Sequence, residues 1–215
     1  MEFTPLHRLL GRQPGPLTDD MLDAAIEQGV RETDDLDWKS GLPKAKDLSQ
    51  SDVVKDIAAM ANSGGGMIVF GIKEKDKAAN GREDVGKLDQ TYARTLRSVV
   101  VSGIQPPVFG LGIYELGAEG ARALAVVVPP SVDVPHLIYK NDYFGAPIRN
   151  DADTAWMRER QLESLYRTRI DERRAGATAL RELYDDAALR ARHDRPSVVC
   201  WRCTSTNNES PGIQI

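Results

Sequence analysis

Apolar residues recur at helical spacing at two places early in the chain, with a stretch of strand spacing between them. Met21, Leu22, Ala25 and Ile26 form the first stripe. Thr18-Asp19-Asp20 precedes it, with a hydroxyl for the cap and acids facing the positive helix end, and Gly29 closes it. From Leu36 the period falls to two: Leu36 and Trp38 point one way, Asp37 and Lys39 the other. Ser51-Asp52 then opens a second helix with Val53, Val54, Ile57, Ala58 and Ala61 on its apolar face. That helix ends in Asn62-Ser63-Gly64-Gly65-Gly66, and Met67–Ile72 follows as a strand apolar enough to be buried on both faces.

Further on, 73–86 reads as a polar loop, 88–101 as a helix, and 108–116 and 122–128 as strands. A loop over 129–142 carries His136, 143–149 is a short strand, and 158–169 is a basic amphipathic helix. Helices and strands alternate without a repeat. The fold class expected is α/β, a mixed β-sheet flanked by helices, with a charged C-terminal helical extension. The organisation expected is a lead-in and helix over 1–27, a main domain over 28–169, the extension over 170–203 and a flexible tail over 204–215.

Composition narrows the class. The 215 residues are 41% hydrophobic and 28% charged, which excludes collagenous, coiled-coil and fully disordered chains. The apolar runs 67–72 and 123–130 fall far short of a membrane span, and the N-terminal residues lack a signal-peptide core. Two cysteines cannot make a disulfide framework, so a soluble, cytoplasmic protein is expected. Cys200-Trp201-Arg202-Cys203 is half of a zinc signature without its second half, and two free thiols are the default.

Charge at first argues against a polyanion partner: 28 Lys+Arg stand against 32 Asp+Glu, net -4. The deficit is local. Residues 1–40 hold 4 basic and 9 acidic side chains, whereas 158–195 hold 10 basic and 8 acidic. A nucleic-acid face therefore has to be a local feature of the later part of the chain, or needs a bound cation to admit phosphate among the acids.

Three constellations could carry chemistry. Glu32, Asp37 and Lys39, with Glu74 just past the buried strand, match the acid-and-lysine chemistry of metal-dependent nucleases: carboxylates hold Mg²⁺ or Mn²⁺, and the ammonium steadies the developing charge. The glycines 64–66 permit close backbone approach to a phosphate, although a helix end followed by a tight reversal is the more ordinary use. Tyr143–Arg149 and Trp156-Met157-Arg158-Glu159-Arg160 set arginines beside aromatics, which suits phosphate contact and base stacking. Gly81–Lys87 mimics a P-loop, but Leu88 stands where a hydroxyl would ligate Mg²⁺, and no NTPase is expected.

In order, the segments ETDDLDWK (32–39) and DIAAMANSGGGMIVFGI (56–72) resemble the Schlafen AlbA-type domain family, also known as divergent AAA domains. Ile104-Gln105-Pro106-Pro107, Val127–Ser131, Pro135-His136, 143–149 and 156–169 agree with it, so the resemblance covers roughly 28–169. It implies an α/β domain that binds DNA or RNA, commonly as a regulator of transcription. For some relatives it implies a divalent-metal-dependent endoribonuclease with an acidic triad, which by position falls on Glu32, Asp37 and Glu74. Asp37 stands where the family usually has Glu, and Glu74 where it has Asp.

The expected function is therefore nucleic-acid binding, with Lys39, Asn62, Gly64, Gly65, Arg149, Arg158 and Arg160 as contacts. The alternatives are the endoribonuclease, with Glu32, Asp37, Lys39 and Glu74 catalytic and Mg or Mn as cofactor, and a protein-interaction module. Nucleic acid and a second copy of the chain are the expected partners, and a membrane is not.

Overall fold

The computed structural model of the chain describes residues 3–89, 91–140 and 143–193. It divides into two compact units, one ending at Ile170 and the other beginning at Asp171. The elements are α1 (Pro5–Leu9), α2 (Asp19–Glu27), β1 (Leu36–Lys39), α3 (Val53–Asn62), β2 (Gly66–Phe70), β3 (Ile72–Lys75) and β4 (Ala78–Arg82). After them come α4 (Tyr92–Gly103), β5 (Ile104–Gln105), β6 (Gly112–Leu116), β7 (Ala123–Val128), β8 (Leu137–Lys140), β9 (Tyr143–Gly145), β10 (Pro147–Asn150), β11 (Asp153–Trp156) and α5 (Glu159–His193).

The central sheet has the order β1-β2-β7-β6, with β1 and β2 parallel and the other pairs antiparallel. Leu36 lies opposite Met67 and Trp38 opposite Val69, so alternation sorts the strands into two faces. One face packs Leu36, Trp38, Met67 and Val69 against Leu6, Met21, Leu22 and Ala25 of α1 and α2. The other packs Ile68, Phe70, Leu124 and Val126 against Ile57 and Ala61 of α3 and Leu96 and Val100 of α4. This is the expected α/β class with a mixed sheet between helices, and it explains why β2 is apolar at every position. The first 27 residues do not stand apart from this unit, because α1 and α2 cover one face of its sheet.

The structure differs from the sequence reading at four places, and at the first two the physical cause is plain. The run expected to reach Ile72 as one strand stops at Phe70. Gly71 has φ +98°, and a Cβ there would lie 2.8 Å from the Arg122 carbonyl oxygen, so the chain can turn only without a side chain. The segment expected as a polar loop is instead the β3–β4 hairpin, closed by Asp76 and Lys77, both with positive φ as a two-residue hairpin turn needs. Only Ile72 and Ala79 of that hairpin are buried, so it lacks the alternation by which strands are recognised. The expected loop around His136 contains β8, and the strand expected over 143–149 is two short ones. Residues 159–193 are all helical, with Glu163–Arg167 and Asp186–Arg190 pairs at i,i+4 supporting an exposed surface. Cys200, Cys203 and the expected tail lie outside the described residues.

A buried amide ties the small sheets to the core. Asn62, the last residue of α3, donates from Nδ2 to the carbonyls of His136 (2.9 Å) and Pro147 (2.8 Å), and its Oδ1 accepts the His136 N–H at 2.6 Å. The His136 ring lies 2.7 Å from the Pro106 carbonyl and 2.7 Å from the Ser131 hydroxyl. A carbonyl only accepts, so Nδ1 carries the proton and Nε2 accepts from Ser131. Burial lowers the His136 pKa and keeps this neutral form. Asn62→Ala should therefore cost roughly 2–4 kcal/mol in urea unfolding, since it strands buried backbone groups as well as removing bonds.

Candidate nucleic-acid interface and acidic cleft

Strand alternation on β1, an edge of the central sheet, sends Asp37 and Lys39 to the side covered by α3. There they line a cleft of about 650 Å³ with Asp52, Lys55 and Asp56 from the start of α3, Arg149 from β10, and Asp153 and Thr154 from β11. Arg149 and Asp37 are buried, their side chains 2% and 3% exposed. Arg149 donates from Nη1 to Asp37 Oδ1 (3.2 Å) and from Nη2 to the Thr33 carbonyl (3.2 Å), while its Nε has no partner. Lys39 Nζ stands 2.7 Å from Asp37 Oδ2 and 3.8 Å from Asp56 Oδ2. Burial opposes the Lys39 charge, but Asp37 and Asp56 outweigh it and raise the Lys39 pKa.

The other two expected acids lie at the hairpin side of β1. The Trp38 N–H donates to Glu32 Oε1 at 3.0 Å, and the Glu32 N–H donates to the Lys77 carbonyl at 2.7 Å. Burial pushes Glu32 from 4.5 up to about 7; the Trp38 N–H opposes this, while the charges of Asp37 and Glu74 add to it. Glu74 is exposed on β3. The structure therefore brings Glu32, Asp37 and Lys39 together, with Glu74 within electrostatic reach.

Among the described residues, no three His, Cys, Asp or Glu side chains form a group that could hold a metal ion. The cause is visible in the contacts. Asp37 is engaged by Arg149 and Lys39, Glu32 by the Trp38 backbone, and Glu74 faces solvent. As placed, these side chains do not fit a bound Mg²⁺ or Mn²⁺.

Several expected phosphate contacts have partners inside the protein. Asn62 is spent on the backbone of His136 and Pro147, and Arg149 on Asp37 and Thr33. Gly65 is buried, donates its N–H to the Met60 carbonyl, and would place a Cβ 2.7 Å from the Val128 carbonyl oxygen. The glycines thus make the tight reversal from α3 into β2. Gly64 is exposed, with open space around it. Arg158 and Arg160, at the opening of α5, are exposed and have no ion pair among the described residues.

Gly81–Lys87 is no phosphate loop. Asp84 accepts the N–H groups of Gly86 and Gly120, both at 2.9 Å, and so fastens the hairpin exit to the turn before β7.

The sequence reading missed Asp56. Burial pushes it from 3.8 up to about 6, with Lys39 opposing and Asp37 adding to the shift. Its signal was available, since it lies three residues after Val53 and four before Met60, inside the apolar stripe of α3.

The description Schlafen, AlbA_2 matches residues 32–158, the span that holds β1, the cleft and every small sheet. The chain belongs to the Schlafen AlbA_2 family. This associates the domain with nucleic acid. Among solved structures, the Schlafen AlbA_2 chain is similar to the DIP2311 protein from Corynebacterium diphtheriae, at 18% identity and TM-score 0.44. That match covers 69% of this chain and 28% of the other, so the chain spans under a third of that protein. It is also similar to the N-terminal domain of a protein from Nitrosomonas europaea described as ATP-dependent DNA helicase RecG-related. There the identity is 23% and the TM-score 0.45, covering 63% of this chain and 89% of that one. No curated protein matches. No helix among the described residues of the Schlafen AlbA_2 chain is long and apolar enough to cross a membrane.

Two outcomes follow for the cleft. Arg149→Met should cost about 3 kcal/mol, the low end for breaking a buried pair because Lys39 still faces Asp37. Adding Asp37→Asn should recover much of that loss in a double-mutant cycle by urea unfolding. The folded chain also holds the Glu32 proton more tightly than the unfolded chain. Its contribution to stability is therefore fully present below pH 4.5 and declines as pH rises toward 7. Glu32→Gln should make that decline shallower in unfolding free energies measured across the same range.

Proposed function

We propose that the protein binds nucleic acid through exposed groups at the opening of α5 and not through its buried cleft, serving as a DNA-binding regulator or an RNA-binding module. The observation that carries this reading is the pair Arg158 and Arg160, exposed and without ion pairs among the described residues, two and four positions after the half-exposed Trp156. Free guanidiniums release condensed counterions when they meet phosphate, whereas Arg149 would first have to leave Asp37. The cleft supports the same division. Asp37, Asp52, Asp56 and Asp153 outnumber Lys39, Lys55 and Arg149 along its walls, so it does not attract a polyanion.

A second reading, the metal-dependent endoribonuclease, draws on one observation: Glu32, pushed up to about 7, lies in the field of Asp37 and Glu74. Such crowding is relieved by a cation or by a proton. With Asp37 already held by Arg149 and Lys39, a proton on Glu32 is the simpler relief.

Binding measured by fluorescence anisotropy should weaken steeply with added salt, and Arg158→Ala with Arg160→Ala should lower the slope of log K against log salt by about 1 to 2. A flat salt response of the wild-type protein contradicts the proposal. Cleavage of structured RNA that requires Mn²⁺ and is abolished by Glu32→Ala would favour the endoribonuclease instead.

A further inference from the structure

Trp156 ends β11 and is 46% exposed, although an indole carries one of the largest apolar surfaces of any side chain. It belongs to neither hydrophobic cluster flanking the central sheet. Its ring is nevertheless held. A Cβ on Gly145 would lie 2.8 Å from Trp156 Cε3 and 2.9 Å from Cζ3, so the six-membered ring rests on the backbone there, where glycine leaves it room. Pairing with Pro147 across β10 and β11 fixes the chain at the ring itself. Just after it, the Met157 N–H donates to the Ala146 carbonyl at 2.9 Å, and the Arg158 N–H donates to Gln161 Oε1 at 2.8 Å. A half-open aromatic ring on a pinned backbone has little freedom left to lose when a ligand stacks on it.

The charges next to the ring indicate its occupant. Chain length alone keeps the Arg158 Cα within about 7 Å of the Trp156 Cα, and the Arg160 Cα within about 14 Å. Both arginines are exposed and have no ion pair among the described residues. The exposed Glu159 stands between them, so two cations are offset by one anion. Charge that sparse binds a polyanion weakly, and a contact of another kind has to add to it. A flat indole with guanidiniums beside it complements the face of a base and its phosphates. In a duplex the base faces are stacked on one another, whereas an unpaired strand offers them.

We propose that Trp156 is a stacking platform for an unpaired base of single-stranded nucleic acid, with Arg158 and Arg160 taking the adjoining phosphates. This rests on the nucleic-acid reading above and deepens it by naming strandedness and the side chain that meets a base. Base face and phosphate are common to DNA and RNA alike.

The test combines tryptophan fluorescence with anisotropy at low salt, on a labelled 12-nucleotide single strand, as DNA and as RNA, and on the corresponding duplexes. The proteins are wild type, Trp156→Leu and Trp156→Phe, each checked by circular dichroism. Leucine keeps an apolar side chain against Gly145 but cannot stack, whereas phenylalanine can. The expected result is a single-strand affinity lowered roughly tenfold by Trp156→Leu and largely restored in Trp156→Phe, at an unchanged salt slope and duplex affinity. The single strand should also quench wild-type fluorescence more than that of Trp156→Phe, since Trp38 and Trp201 are common to both.

If the wild type binds nucleic acid but Trp156→Leu binds the single strand equally well, the platform is wrong and the broader reading stands. Single-strand and duplex affinity falling together in Trp156→Leu would assign the ring to holding the α5 opening in shape, and also overturns the platform. Should Trp156→Leu fail to fold, the comparison of wild type with Trp156→Phe decides alone, and equal quenching overturns the platform. No binding by the wild type at all overturns both readings.

Discussion

Arg149 and Asp37 meet 3.2 Å apart with both side chains shut off from solvent, and the rest of the cleft is arranged around that contact. Each charge has left water, at a cost of several kcal/mol that only close geometry and further hydrogen bonds can offset. The Thr33 carbonyl and the Lys39 ammonium supply those bonds and charges, and Lys39 in turn faces Asp56. The pair also joins β1 of the central sheet to β10. Replacing either partner alone would leave a buried charge poorly compensated.

This constraint decides what the acidic residues can do. A carboxylate that already has a guanidinium on one oxygen and an ammonium at the other offers a divalent cation little. Glu32, beside Asp37 but not lining the cleft, is pushed up to about 7 by burial and is held by the Trp38 backbone. The cluster is thus electrostatically tense but internally satisfied. Arg158 and Arg160, exposed and without ion pairs among the described residues, lie elsewhere, at the beginning of α5. The N-terminal acidity that dominates the net charge is largely consumed in local pairs such as Arg8–Asp35 and Arg82–Asp23.

Much of this was legible in the sequence, for reasons that can be named. Period-two alternation over 36–39 placed Asp37 and Lys39 on one side, and the glycine run after α3 marked the reversal into β2. The continuous apolar run announced a strand covered on both faces. What stayed hidden depended on partners distant in sequence. Nothing around Arg149 reveals that Asp37, 112 residues earlier, will receive its guanidinium. Nothing around Asn62 reveals that its amide will be used up by backbone 74 and 85 residues away. The β3–β4 hairpin escaped notice because exposed strands bury too little to show a period, and the seat of Trp156 on Gly145 because packing between strands is not written in either segment alone.

The central claim is that the cleft is an internal ion-pair network and that, as proposed, nucleic acid docks on the α5 opening. The most direct measurement is an amide and side-chain NMR titration of the isotope-labelled chain with a short single-stranded oligonucleotide. The account predicts shifts at Trp156, Arg158 and Arg160 while Asp37, Lys39 and Asp56 stay in place. Shifts concentrated at Glu32, Asp37, Lys39 and Glu74, with the α5 opening unmoved, would contradict it.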